Sequence, residues 1–98
     1  MSSHRDHIRL LILQTLAKQP QYVANQEVVI KELRSQGYAL SRDMLHIELS
    51  WLESNADAVI NKIVGGVYIS TITNDGHEIS EGIAIVPGVA QPSPRNYE

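Results

Sequence analysis

The stretch that decides the fold is residues 41–72, SRDMLHIELSWLESNADAVINKIVGGVYISTI. Its first part predicts an amphipathic helix capped by Ser41, followed by a polar loop over residues 53–57. Two segments rich in β-branched residues come next, 58–64 and 67–72, on either side of a Gly-Gly pair that suits a two-residue hairpin turn. The stretch therefore predicts a helix followed by a β-hairpin.

Two shorter helical patterns precede this stretch, and a weak one follows it over residues 73–85. The order of three helices, a strand, a tight turn and a second strand is typical of a winged helix-turn-helix domain. We therefore predict an α+β fold of that type, with three helices, a two-stranded β-hairpin wing and a short C-terminal helix.

The first helix is predicted to begin at a capping box formed by Ser3 and Asp6 and to continue through Gln19, before Pro20. Its apolar residues cover a very wide arc of the helix, and Leu11 falls on the far side. Two interpretations stay open. The helix is buried centrally in its own domain, or it also packs on a second copy and forms a homodimer.

The second helix is predicted to begin after Asn25 and to end at Gly37, with Lys31 and Arg34 pointing away from its apolar face. On the third helix a helical wheel gives a broad apolar face and an opposite polar face. The apolar face contains Met44, Leu45, Ile47, Leu49, Trp51 and Leu52, and the polar face contains Arg42, Asp43, His46, Ser50 and Glu53.

The polar face of the third helix is the surface that would enter the major groove of DNA. Arg42, His46 and Ser50 are the candidate base or phosphate contacts, while Lys31, Arg34 and Lys62 are candidate backbone contacts. The two carboxylates on this face would repel phosphates, and the wing tip contains no arginine. A solvated face without a ligand is the alternative interpretation.

One carboxylate, Glu48, falls near the middle of the apolar arc of the third helix. A buried carboxylate needs a partner, and Arg9, which is also flanked by apolar residues, is a candidate. A rim position that leaves the Glu48 carboxylate in water is the other possibility.

The chain is divided into a winged-helix domain over residues 1–86 and a Pro-rich C-terminal tail over residues 87–98. The tail has too little apolar content to fold alone. It is expected to be disordered or to act as an extended arm that orders on a partner.

Composition excludes several classes of protein. The 98 residues contain no cysteine, which excludes disulfides and thiolate metal sites, and the longest apolar run, Leu10 to Leu13, is far too short to span a bilayer. The formal net charge of −3 is the opposite of what DNA binding favours. The start of the chain lacks a secretory apolar region, so we expect a cytoplasmic protein without a membrane partner.

Catalysis finds little support in the residues. His4 and His7 are spaced to share a helix face, but they lie at a chain end without a third metal ligand. No serine lies in a nucleophile elbow, and no carboxylate pair fits an acid-base motif. We expect neither an enzyme nor a bound metal or cofactor.

Several short motifs taken in order resemble a known phage family. They are Ser41-Arg42-Asp43, Leu49-Ser50-Trp51-Leu52, Val64-Gly65-Gly66-Val67, Thr71-Ile72-Thr73 with Gly76, Val86-Pro87-Gly88-Val89 and Pro92-Ser93-Pro94. Together they resemble the small ArsR-like winged-helix proteins of Mu-like phages and prophages. The resemblance implies a winged-helix fold and residence in the cytoplasm of a bacterial host, with genes that tend to lie among those for head assembly and packaging. It does not extend to metal sensing, which uses cysteine or histidine clusters.

Two functional hypotheses follow. The first is a dimeric, transcription-regulator-like module that binds double-stranded DNA through the third helix and the wing. The second is a protein–protein interaction module for phage assembly that keeps the winged-helix scaffold without DNA binding. The order of the elements and the outward placement of Lys31, Arg34 and Lys62 make the first the leading hypothesis. The acidic balance, the wing tip without arginine and the Pro-rich tail motivate the second, in which the tail or the polar face of the third helix contacts another phage or host protein.

Overall fold

The computed structural model describes residues 3–93 of the chain, which form four α-helices and a three-stranded antiparallel sheet. The elements are α1 (His4–Ala17), a 3₁₀ turn (Pro20–Tyr22), β1 (Val23–Asn25), α2 (Gln26–Ser35), α3 (Arg42–Ala56), β2 (Val59–Val64), β3 (Val67–Ile72) and α4 (Asn74–Ser80). The strand order is β1-β3-β2. This α+β arrangement is compatible with a winged helix. Within residues 3–93, no helix is both long and apolar enough to cross a lipid bilayer.

Side-chain caps define where each helix begins, and the predicted caps are confirmed. Ser3 Oγ accepts from the backbone N–H of Asp6, whose carboxylate in turn accepts from the backbone N–H of Ser3. The side chains of Asn25, Ser41 and Thr73 accept from backbone N–H groups in the first turns of α2, α3 and α4. Each cap satisfies N–H groups that the first helical turn leaves without partners, so local sequence alone fixes these starts.

Some predicted boundaries are wrong. The predicted loop over residues 53–57 is mostly helix, because α3 continues through Ala56 and ends at Asp57 in a left-handed conformation, with φ of 50°. Helix α1 ends at Ala17 and α4 ends at Ser80, both earlier than predicted. Strand β1 was not predicted, since its three residues are too few to show a period and are held by pairing with β3.

Helix α1 lies at the centre of the core. Its side chains Ile8, Leu10, Ile12, Leu13 and Leu16 are all buried, and Leu11 is half-buried. Helices α2, α3 and α4 all contact it, and Val89 and Ala90 join the same core. These elements cover the wide apolar arc within one chain. The interpretation of α1 as centrally buried is confirmed, and the homodimer stays a prediction.

The segment after Val86 differs from the predicted tail. Val89 and Ala90 are buried, and the backbone N–H of Ala90 donates to the Asp6 carbonyl at 3.1 Å. The Gly88 carbonyl accepts from Arg9 Nη1 at 2.9 Å. These contacts make residues 88–90 part of the core, because even a short apolar pair can fill the space beside α1. Residues 94–98 of the predicted tail lie outside the described residues, and the boundary at Val86 stays a prediction.

A buried ion-pair cluster connects α1, α3 and the C-terminal segment. Glu48 is only 4% exposed, and its carboxylate accepts from Arg9 Nε at 2.7 Å and from Arg5 Nε at 2.8 Å. The Arg9 guanidinium also lies over the Trp51 ring, 3.8 Å from its centroid. The predicted partnership of Arg9 and Glu48 is confirmed, and the rim position for Glu48 is wrong.

Candidate interaction surface

Helix α3 is rotated relative to the predicted orientation. Its buried side is formed by Leu45, Glu48, Leu49 and Leu52. Met44 and Ile47, which were predicted to face the core, are 49% and 56% exposed. The buried pairing of Glu48 brings that side of α3 against α1. As a result, these two apolar side chains lie at the surface, while Arg42, Asp43 and Ser50 of the predicted polar face are exposed as predicted.

Arg42, the first candidate DNA contact, is paired within the chain. Its Nε and Nη2 donate to the two carboxylate oxygens of Glu27 at 2.6 and 3.1 Å, a bidentate ion pair between α3 and α2. The hydrogen bonds from Arg42 lower the pKa of Glu27, and those to Glu27 raise the pKa of Arg42. The charge of Arg34 lowers the pKa of Glu27 further. The carboxylate of Glu27 thus competes with any phosphate for Arg42.

His46, the second candidate, is half-buried between α2 and β3. Its Nε2 lies 2.7 Å from Gln26 Oε1, and its ring stacks on Tyr68 with centroids 4.0 Å apart. The same Oε1 accepts from the backbone N–H of Tyr68 at 2.8 Å, so that atom is an acceptor and His46 carries a hydrogen on Nε2. Ser50, the third candidate, lies 3.3 Å from the Tyr68 hydroxyl. Both polar side chains hold α3 against the sheet.

Helix α3 and the hairpin are also joined by Glu53 and Asn61. Glu53 accepts from the backbone N–H and the Nδ2 of Asn61 at 3.2 and 3.0 Å, and Asn61 Nδ2 also lies 3.0 Å from the Leu49 carbonyl. Asn61 Oδ1 accepts from Ser70 Oγ at 2.6 Å. These bonds fix the hairpin to α3, and the Glu53 carboxylate blocks the free edge of β2 at Asn61.

The remaining candidates, Lys31, Arg34 and Lys62, are exposed and form no ion pair with any residue from 3 to 93. Asn61 faces α3, and successive strand residues point to opposite faces, so Lys62 lies on the face of the sheet away from α3. The structure therefore gathers Arg34 and Arg42 around Glu27, and His46 and Ser50 around Tyr68. It does not bring Lys62 onto the same surface.

Apolar side chains dominate the exposed part of the hairpin. Ile60, Ile63, Val64 and Val67 are 60%, 57%, 52% and 37% exposed. They surround the Gly65-Gly66 turn on both faces of the sheet, in register across the strands. Met44 and Ile47 of α3 are exposed as well, but Ile60, Val64 and Val67 lie on the face of the sheet away from α3, so the two groups are separate apolar patches. Scattered apolar residues are ordinary, but several of them around one hairpin turn indicate an interaction site.

Sequence analysis missed Gln26 and Tyr68 as organising residues of this region. Gln26 is 4% exposed and shares the buried side of α2 with Val29, Ile30 and Leu33. A helical wheel of residues 26–35 places this amide on the apolar face, so its position was a readable signal that it needs a partner. No pattern in the sequence pointed to Tyr68, which comes from a strand far along the chain.

Sequence similarity links the chain to a protein of phage Mu. The uncharacterized protein gp26 of Escherichia phage Mu is 32% identical over 87 residues, which is 89% of this chain and 88% of gp26. An uncharacterized protein of Haemophilus influenzae is 32% identical over 65 residues, covering 66% of this chain and 63% of that protein. No protein-family model matches the chain, and no solved structure gives a significant match. The phage part of the predicted resemblance is confirmed.

Proposed function

This chain belongs to the family of gp26 of Escherichia phage Mu, and we propose that it is a protein–protein interaction module built on an ArsR-like winged-helix scaffold. The order of helices and the hairpin supports the scaffold. The observation that carries the interaction function is what the surface of α3 presents. Arg42, His46 and Ser50 are bonded to neighbouring elements, while Met44 and Ile47 are exposed.

The charge distribution supports a protein partner over a nucleic acid. Phosphate recognition depends on unpaired cations, whereas the cation on the first turn of α3 is held by Glu27. Protein interfaces instead draw their affinity from a few buried apolar and aromatic side chains. The exposed apolar side chains of α3 and of the hairpin offer such contacts. The family resemblance supports placing the partner among the assembling components of the phage particle.

Removing the exposed side chains of Met44 and Ile47 should weaken binding to the natural partner by about tenfold or more. The reason is that a fully buried apolar side chain contributes ~1.5–3 kcal/mol. The test is capture by the immobilised full-length protein from cells with an induced Mu-like prophage, with partners identified by mass spectrometry. The double variant Met44→Ser/Ile47→Ser should lose the partner. The Lys31→Ala/Arg34→Ala variant, which removes two exposed cations, should keep it. A partner retained by the first variant and lost by the second would contradict the proposal.

DNA binding is a second candidate function, supported by the exposed cations Lys31, Arg34 and Lys62, which have no ion-pair partner in the described part of the chain. In this mode Arg42 would have to leave Glu27 and bind a phosphate or a base edge. Binding of a duplex would then be strongest at low salt and would fall steeply as salt is added. Fluorescence anisotropy with labelled phage DNA measures both the affinity and that dependence.

The pKa of Glu27 reports whether Arg42 is free. Because Arg42 lowers the pKa of Glu27 in the folded chain, the ion pair contributes stability above the ordinary glutamate pKa and loses it as the pH falls through the lowered value. Carboxyl NMR titration should show a higher Glu27 pKa in Arg42→Gln than in the wild type. Arg34→Gln should raise it less, since Arg34 acts on Glu27 only through its charge. A duplex that binds through Arg42 should also raise the Glu27 pKa, and an unchanged value on saturation with DNA would exclude this mode.

A further inference from the structure

The face of the sheet that points away from α3 is exposed and mostly apolar. Strand alternation and the register of β2 with β3 place Ile60, Lys62 and Val64 on this face, beside Thr71, Ile69 and Val67 respectively. We call these six residues the outer sheet face. Ile60 is 60% exposed and Val64 is 52% exposed, whereas Asn61 and Ser70 point to the opposite face, where they bond to each other and to α3.

Lys62 is the one charged residue on the outer sheet face, and its position is central. It pairs across the strands with Ile69, and the next pairs on either side are Ile60 with Thr71 and Val64 with Val67. On β1, the residues that share this face are Val23 and Asn25. No carboxylate stands at any outward position of the three strands, although the chain as a whole has a net charge of −3. The face therefore combines apolar area with a single positive charge that forms no ion pair with residues 3–93.

Four possible ligands of the outer sheet face can be compared by their chemistry. A strand added to the edge of β2 is disfavoured, because Glu53 already binds the outward N–H of Asn61 at 3.2 Å. Packing against the same face of a second copy would bring no carboxylate to Lys62 and would place two lysines in one apolar interface. A DNA phosphate would pair with Lys62 but would leave the surrounding isoleucine and valine side chains against a charged backbone. An apolar protein segment that carries a carboxylate satisfies both features.

We propose that the outer sheet face docks an amphipathic segment of a partner protein, with apolar side chains on Ile60, Val64 and Val67 and an aspartate or glutamate on Lys62. This proposal depends on the protein-interaction function and assigns its partner chemistry. The apolar contacts supply most of the affinity, while the carboxylate pairs with a lysine that the contact desolvates. The ion pair fixes the register of the segment on the sheet.

Selection from a yeast-displayed library of random 16-residue peptides against the full-length protein tests this chemistry. Enriched peptides should combine apolar residues with at least one aspartate or glutamate. For one such synthetic peptide, the variant Lys62→Glu should bind at least tenfold more weakly, and replacing the peptide's acidic residue by lysine should restore binding to that variant. Lys31→Glu, which makes the same charge change on α2, should bind the original peptide normally. Thermal unfolding followed by circular dichroism verifies that the exposed substitutions leave the fold intact.

Other outcomes overturn the proposal. They are a library without enrichment, enriched peptides that lack acidic residues, and binding that is indifferent to Lys62→Glu. Concentration-dependent dimerisation that Ile60→Ser abolishes would assign the face to a second copy, and duplex binding abolished by Lys62→Glu would assign it to DNA. If the outer face fails while the natural partner still depends on Met44 and Ile47, the interaction function stands and only this docking site is wrong. If neither surface matters, both proposals fail.

Discussion

Replacing Glu48 by alanine is expected to lower the free energy of unfolding by about 3–5 kcal/mol. The side chain of Glu48 is 5% exposed and that of Arg9 is 8% exposed, and the two are joined at 2.7 Å. Removal of the carboxylate leaves the Arg9 guanidinium buried against Trp51 without its main counter-charge. The cost of an unpaired buried charge is far larger than the net stabilisation that an ion pair usually provides.

The matched control is Arg5→Ala, which removes the other arginine bound to the same carboxylate. The side chain of Arg5 is 58% exposed, so water can replace it, and the expected loss is about 1 kcal/mol or less. Urea unfolding followed in parallel by circular dichroism and by the fluorescence of Trp51 measures both variants. Equal losses for Glu48→Ala and Arg5→Ala would show that the burial of the Arg9–Glu48 pair does not govern stability.

The same ion pair explains which parts of α3 the sequence could predict. A lone carboxylate in an apolar arc demands a partner, and Arg9 was identifiable because it has the same anomaly on α1. The rotation of α3 was not predictable, because a helical wheel weighs Met44 and Ile47 like any other apolar residue. Only the packing of α1 against α3 decides that Glu48 lies inside and those two side chains lie outside.

Features that depend on neighbouring residues were predicted better than features that depend on residues far along the chain. The helix caps at Ser3, Asn25 and Ser41 and the hairpin turn at Gly65-Gly66 depend on residues within a few positions, and all were predicted correctly. The partners of Arg42, His46 and Ser50 come from α2 and β3, which the sequence does not place beside α3. The polar face of α3 was therefore recognisable from the sequence, but the side chains that its members bond to were not.

Replacing Gly76 by alanine is expected to destabilise the protein by about 2–3 kcal/mol, although glycine to alanine inside a helix usually stabilises by about 1 kcal/mol. Gly76 lies within α4 and is buried. A Cβ atom there would lie 2.1 Å from the Ala58 carbonyl oxygen and 2.9 Å from Ile72 Cγ1. That carbonyl accepts from the backbone N–H of Thr73 at 2.9 Å, so the first turn of α4 would have to move away from the sheet.

Gly66→Ala separates this steric effect from backbone strain. Gly66 has φ of +79°, and no heavy atom lies within 4 Å of the position that an added methyl group would take. Its substitution should therefore cost only about 1–2 kcal/mol for the left-handed conformation. Gly76 does not have a positive φ, so the loss of stability expected for Gly76→Ala must come from the contact with Ala58. Chemical denaturation of both variants measures the difference. If Gly76→Ala were as stable as the wild type or more stable, the close packing of α4 against Ala58, just before β2, would be wrong. The view that this contact holds the hairpin in place would be wrong as well.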